Sequence, residues 1–217
     1  MKSNLFLRVV SILMTILCVS NVEAAAISRQ DAQNWAKTNG EILLRTFREP
    51  DIGVRYKELD KLFNQYIDIE YIGKFVVGKY WRQMSEEQQK KYQAIFRRYA
   101  MALYKTFPLD FVDSLSYEVK DASVDGKFAN VNAVVHVKLS PDNPKQDFLL
   151  SFRLHRKGKD IKLVDIKLAE SSLLLSYRGK FYQMIAELDD EIEWFIEDLE
   201  TMTLGLEKKD KTNLSIK

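Results

Sequence analysis

Midway along the chain the spacing of apolar residues changes period, and the change falls at Pro108. Before it, apolar residues recur every three to four positions. Beyond it, Leu115, Tyr117 and Val119 alternate with Ser116, Glu118 and Lys120. The first spacing belongs to a helix with one buried side, the second to a strand with one buried face. The chain is therefore α+β, helices first and antiparallel strands after. Asp125-Gly126 is a two-residue hairpin signal. Val131, Ala133, Val135, Val137 and Leu139 then alternate with Asn132, Val134, His136 and Lys138. A turn over Pro141-Asp142-Asn143-Pro144 leads to Phe148, Leu150, Phe152 and Leu154, and Lys157-Gly158-Lys159-Asp160 turns into Ile161 to Leu168. This pattern predicts a four-stranded antiparallel meander with one greasy face.

The helical half opens at Ser28, an N-cap, with a helix to Phe47 whose stripe holds Ala32, Trp35, Ala36, Leu43 and Phe47. Gly40 weakens it in the middle. Pro50, Asp51 and Gly53 make a loop before a short helix with Leu59, Leu62, Phe63 and Tyr66. Asp68 caps a third helix, Ile69 to Val77, which stops at Gly78. Ser85-Glu86-Glu87-Gln88 is a capping box, and its helix should run to Phe107, where Pro108 ends it. That central helix is apolar over roughly 200° of its circumference, where about 100° serves a one-sided helix. Two apolar surfaces must meet it: the sheet's greasy face, and a second helix or something the chain does not encode. Lys90, Lys91, Arg97, Arg98 and Lys105 form its wet side.

After Ser171 the chain is helical again. Phe181, Ile185, Leu188, Ile192, Phe195, Leu199, Met202 and Leu206 step by four and three, a narrow coiled-coil-like seam with an acidic outer face from Glu187 to Glu200. Such a helix either lies back on the body or joins a partner. A polar tail starts at Lys208.

Residues 1–24 have the form of a secretory leader: Lys2 and Arg8, an apolar core from Val9 to Val19, and a small-residue cleavage site at Val22-Glu23-Ala24. The apolar core is short for a membrane span, and no Arg-Arg pair precedes it, so general secretion to the periplasm is expected. The one cysteine, Cys18, leaves with the leader, so no disulfide is available. About 193 residues then remain, enough for one domain with its own core. The full chain balances 33 Lys and Arg against 31 Asp and Glu, a total that favours neither nucleic acid nor an anionic membrane as dedicated partner.

No nucleophile elbow, zinc-protease motif or phosphate-cradling loop is present. His136 and His155 alternate with apolar residues and should face water; neither metal site nor cofactor is expected. Asp165 faces a dry interior if Ile161 and Leu163 point inward, and solvent if Val164, Ile166 and Leu168 do. The second set is longer, which favours solvent.

Two stretches carry a resemblance. Phe75-Val-Val-Gly-Lys-Tyr-Trp-Arg82 followed by Ser85-x-x-Gln88 is one; Val164-Asp165-Ile166 with Ser172-Leu173 and Tyr177-Arg178-x-x-Phe181 is the other. Together they resemble the MlaC family of periplasmic proteins, also described as toluene-tolerance or ABC-transporter auxiliary factors. The likeness spans about residues 28–188, with Glu170 where the family usually has glycine. It implies a lipid-binding domain over 25–188, a curled sheet like the cone of nuclear transport factor 2, wrapped by N-terminal, central and C-terminal helices around an apolar lipid cavity. Residues 189–217 form an acidic extension beyond it. The implied activity is no catalysis but carriage of phospholipid across the periplasm, preserving outer-membrane lipid asymmetry. The implied partners are an inner-membrane ABC transporter complex with an MCE-domain subunit and an outer-membrane lipoprotein–porin complex, with transient membrane proximity. Acyl chains would lie between Phe96, Tyr99 and Leu103 on one wall and Val131, Val135, Phe148 and Phe152 on the other, with Phe75, Val76, Tyr80 and Trp81 at the rim. The alternative is a cone-fold enzyme acting on a small hydrophobic substrate with Asp165 as general base.

Overall fold

The computed structural model describes residues 26–106, 112–138 and 144–215. The leader over 1–24, the helix stop at Phe107 and Pro108, Leu139 and the turn residues 141–143 lie outside the described residues.

Helix α1, Arg29–Phe47, starts where Ser28 Oγ accepts the Asp31 amide proton. Gly40 is a contact rather than a weak point: the Tyr117 ring lies where a Cβ would stand, and the Tyr117 hydroxyl donates to the Ala36 and Lys37 carbonyls. Helix α2, Ile52–Tyr66, is capped by Asp51, and α3, Ile69–Val77, by Asp68. Gly78 ends α3 at φ +50° and begins a 3-10 turn, Gly78–Arg82. Helix α4, Glu86–Lys105, opens with the reciprocal Ser85–Gln88 capping box. Helices α5, Leu173–Glu187, and α6, Ile192–Ser215, follow the sheet.

Strands β1 (Ser116–Asp125), β2 (Phe128–Val137), β3 (Gln146–Lys157), β4 (Asp160–Leu168) and β5 (Ser171–Ser172) pair antiparallel in chain order. The sheet thus has five strands rather than the four expected. Ala169 takes φ +52° and turns Ser171–Ser172 back onto Lys167–Leu168. A strand of two residues has no alternation to detect.

Two hydrophobic cores result. In one, Ile27, Ala32 and Ala36 of the α1 region meet Ala129, Val131 and Leu154 of the sheet. The alanines have little side chain to hold the backbones apart, so α1 lies close on the greasy face. In the other, α3, α4, α5 and α6 enclose Val76, Tyr92, Phe96, Phe181, Phe195 and Leu199. The central helix therefore does not lie on the sheet as its wide arc suggested. One of its apolar surfaces meets α6, with Tyr92 and Phe195 ring centroids 6.1 Å apart; another meets α5, with Phe96 and Phe181 at 6.0 Å. The seam of α6 turns inward to supply that surface, and Arg98 of α4 locks it by donating to Glu200 and Glu207 at 2.8 Å.

Candidate functional site

Register places the sheet residues on one face in cross-strand rows: Val135 beside Phe148, Ala133 beside Leu150 and Leu168, Val131 beside Phe152 and Ile166, Ala129 beside Leu154 and Leu163. At the Ala129 end α1 seals the face, and Ala129, Val131 and Leu154 are fully buried. Toward the other end the cover thins. Val135, Phe148, Leu150, Phe152 and Ile166 are part-exposed and Leu168 is 49% exposed. Arg48, just past the end of α1, reaches the Leu115 carbonyl at this same end, and Leu43 of that helix is exposed. The result is an apolar lane, about 20 Å from Phe148 to Leu154 at strand rise. It is packed under α1 at one end; toward the other, Ala133 and Val137 of β2 are still buried while Phe148, Leu150 and Leu168 are partly exposed.

Val131, Val135, Phe148 and Phe152 thus share a surface, as the alternation predicts, and Leu150, Ile166 and Leu168 belong with them. Leu150 was legible from β3's alternation. Ile166 and Leu168 belong to the inward set that the sequence favours; Leu163 joins them through a bulge, where Arg153 pairs with Asp165 and Leu154 with Leu163, leaving Val164 unpaired. One extra residue lets Leu163 and Ile166, three apart, point the same way.

The helical set lies elsewhere. Val76, Tyr80, Phe96 and Tyr99 are buried in the helical core, and Phe75, Trp81 and Leu103 pack against it part-buried. Tyr80 does not stand at a rim: its hydroxyl donates to Asp190 at 2.6 Å. The two walls expected to face each other across one hollow belong to separate clusters, because α1 and α6 take the positions left for α4 and for a guest.

Asp165 departs from the solvent-facing expectation. It points away from Ile166 and Leu168 as expected, but that face is covered by β5 and the start of α5 rather than water: Asp165 is 7% exposed and accepts from Ser172 Oγ at 2.6 Å and from the Leu174 amide at 3.0 Å. Ser172 in turn caps α5 through the Leu175 amide. Both carboxylate oxygens hold the head of a helix, which is structural work. The first motif joins the second nearby. Gly78 lies against Tyr182 and Arg178, leaving no room for a Cβ, and the Lys79 amide donates to the Tyr182 hydroxyl at 2.9 Å.

His155 also departs from expectation. Its strand face is roofed by α3 rather than water, so the ring lies between Phe128 and Tyr71 with Nε2 2.9 Å from Asp68. His136 sits near the end where the cover thins, Nδ1 2.6 Å from Asp147. Asp68 is buried, which by itself raises a carboxyl pKa. The Lys157 ammonium at 2.9 Å, the Tyr71 amide and His155 outweigh that and hold it below its usual value. Among the described residues no group of three or more His, Cys, Asp or Glu could hold a metal. No described helix is long and apolar enough to cross a membrane. A cleft of about 400 Å³ where α4 meets α6 is lined by Ser85, Glu87, Gln88, Lys91 and Glu193, too polar for hydrocarbon.

An open meander with helices on both faces leaves a partly covered apolar lane on the sheet, a surface whose chemistry suits a hydrophobic ligand. The chain belongs to the MlaC family, whose model, described as MlaC protein, matches residues 42–201. No curated protein matches it. Among similar solved structures is the phospholipid-binding protein from Ralstonia solanacearum, determined in complex with a phospholipid. The two align with a TM-score of 0.66 at 21% identity, covering 81% of this chain and 98% of the other. At that identity the likeness is one of fold.

Proposed function

We propose that this protein is a phospholipid carrier of the Gram-negative periplasm, exported by the leader at residues 1–24. The observation that carries the reading is the half-covered apolar lane on the sheet, in a member of the MlaC family with the fold of a phospholipid-bound protein. A phospholipid with two 16-carbon tails has about 30 methylenes, and at ~0.8 kcal/mol each, exposing them to water costs roughly 20–25 kcal/mol. Carriage therefore demands an apolar surface that takes the tails out of water. Val131, Val135, Phe148 and Phe152, with Leu150, Ile166 and Leu168, hold the tails; the head group stays in water, so several head groups are accepted. Phe75, Val76, Tyr80, Trp81, Phe96, Tyr99 and Leu103 belong to the separate helical core and support the fold rather than the tails. No step of chemistry is required. Since protein and bilayer hold the tails comparably, direction is set by the partners: an inner-membrane ABC transporter complex with an MCE-domain subunit, and an outer-membrane lipoprotein–porin complex. Residues 25–188 form the carrier domain, and 189–217 add the acidic helix that braces α4.

The test is Phe152→Arg, which puts a charge in the lane, beside Leu103→Arg in the helical core. Solvent extraction and mass spectrometry of detergent-free protein should find Phe152→Arg depleted of phospholipid while its circular dichroism matches the parent. Retention of a full complement of lipid by folded Phe152→Arg contradicts the assignment.

A further inference from the structure

Along the β2–β3 edge, α3 and α5, cations and rings alternate. Lys127 and Arg153 lie over Phe128, at 5.3 and 4.2 Å from its centroid. Phe128 meets Tyr71 at 6.1 Å, and Tyr71 stacks on Phe75 at 6.3 Å. Arg178 spans the next step, 5.0 Å from Phe75 and 5.1 Å from Tyr182. Lys79 closes the row, 4.6 Å from Tyr80 and 5.9 Å from Tyr182. Lys74, one turn beyond Tyr71 on α3, lies 5.2 Å over Trp81.

These five cations form no ion pair among the described residues. Arg178 donates only to the Tyr182 hydroxyl, and Arg153 Nε is buried without a hydrogen-bond partner. The nearest acids are committed elsewhere: Asp165 to Ser172 and Leu174, Asp190 to Tyr80, Asp68 and Glu70 to Lys157. Many of the remaining acids serve the contact between α4 and α6, where Glu193, Glu200 and Glu207 pair with Lys91 and Arg98. The near-zero total charge conceals this segregation. Rings place the charges without neutralising them.

We propose that this ladder is a docking surface for an anionic lipid bilayer. It builds on the carrier reading, adding where the carrier touches a membrane. The charges run along a row instead of converging on one point, so they suit a plane of phosphates better than a single one. Interspersed Tyr, Phe and Trp suit the head-group layer, which accepts rings that are apolar on their faces and polar at an edge. Residues of both stretches singled out in the sequence, Phe75–Arg82 and Tyr177–Phe181, contribute to the row. An acidic protein face is the competing occupant.

The experiment is co-sedimentation of the chain from residue 25 onward with phosphatidylcholine vesicles, with and without phosphatidylglycerol, at low and raised salt. Alongside it run the variant Lys74→Gln/Lys79→Gln/Lys127→Gln and a control, Lys37→Gln/Lys57→Gln/Lys90→Gln, which removes the same charge elsewhere. Each lysine near an anionic surface is worth roughly a fivefold change in partitioning, so the ladder variant should bind phosphatidylglycerol vesicles about a hundredfold more weakly, with the control near the parent. Equal loss in both variants, or no preference for phosphatidylglycerol by the parent, overturns the proposal; the latter result leaves an acidic protein as the occupant. Lipid content measured on the same preparations separates the two claims. Lipid-loaded parent without vesicle preference refutes the surface alone. Lipid-free parent that prefers anionic vesicles supports the surface and refutes the carrier.

Discussion

Asp165→Ala removes the acceptor that fastens α5 to the sheet. The Ser172 hydroxyl and Leu174 amide, 2.6 and 3.0 Å from the carboxylate, would both lose their partner in a buried place. An orphaned buried donor costs about 1–3 kcal/mol, so two give roughly 3–5 kcal/mol after partial relaxation. Asp165→Asn retains one acceptor oxygen and should lose only about half as much. For a chain of this size 1 kcal/mol is about 2–4 °C in Tm, so Asp165→Ala should melt roughly 8–15 °C lower and Asp165→Asn about half that. Calorimetry, with urea midpoints as a second readout, measures both. If Asp165→Ala stays within about 1 kcal/mol of the parent, Asp165 does not anchor α5. Were Asp165→Asn to fold as the parent does and lose a measurable turnover, the enzyme alternative would return.

Three further outcomes follow from other contacts. Asp68 has its carboxyl pKa lowered on folding, so its stabilisation is complete above the unfolded value and fades as pH falls through the folded one; Asp68→Asn should flatten the acid limb of stability below about pH 4 in urea titrations, and an unchanged limb would refute this. Arg98 grips Glu200 and Glu207 while 39% exposed, so solvent screens it: Arg98→Ala should cost about 1–2 kcal/mol at low salt and less at high salt, and a salt-independent loss would point to packing instead. Gly78→Ala meets a φ of +50° together with the Tyr182 and Arg178 side chains, and should cost about 2–3 kcal/mol by thermal melting, whereas a neutral result would mean the 3-10 turn yields easily.

What the sequence made legible was local. The Ser85–Gln88 box, the Asp125-Gly126 hairpin and the Asp68 cap depend on neighbours within a turn or two, and each has the geometry its residues require. The apolar row from Val131 to Phe152 was legible for the same reason. The seam read as one helix from Phe181 to Leu206, by contrast, is broken between Glu187 and Ile192, where Asp189 and Asp190 take positive φ. What escaped was set by distant contacts. Nothing in the periodicity of α4 tells whether α6 or the sheet covers it, since both offer apolar surface. Ala32 and Ala36 belong to the stripe read for α1, but nothing local says that this stripe rather than the central helix takes the sheet's face. A single unpaired residue, Val164, brought Leu163 into the lane beside Ile166, and the helix α5 that covers Asp165 on the opposite face left no mark in the strand's alternation. His155 looked solvated because alternation shows that a strand has two faces, not that α3 roofs the second.

Native mass spectrometry of the detergent-free protein, expressed with residues 1–24 in a Gram-negative host and recovered from the periplasm, tests the carrier claim most directly. The account predicts a species heavier than the processed chain by one phospholipid, which is lost in the Phe152→Arg variant. A single species at the mass of the bare chain, with no phosphorus in its solvent extract, would contradict it.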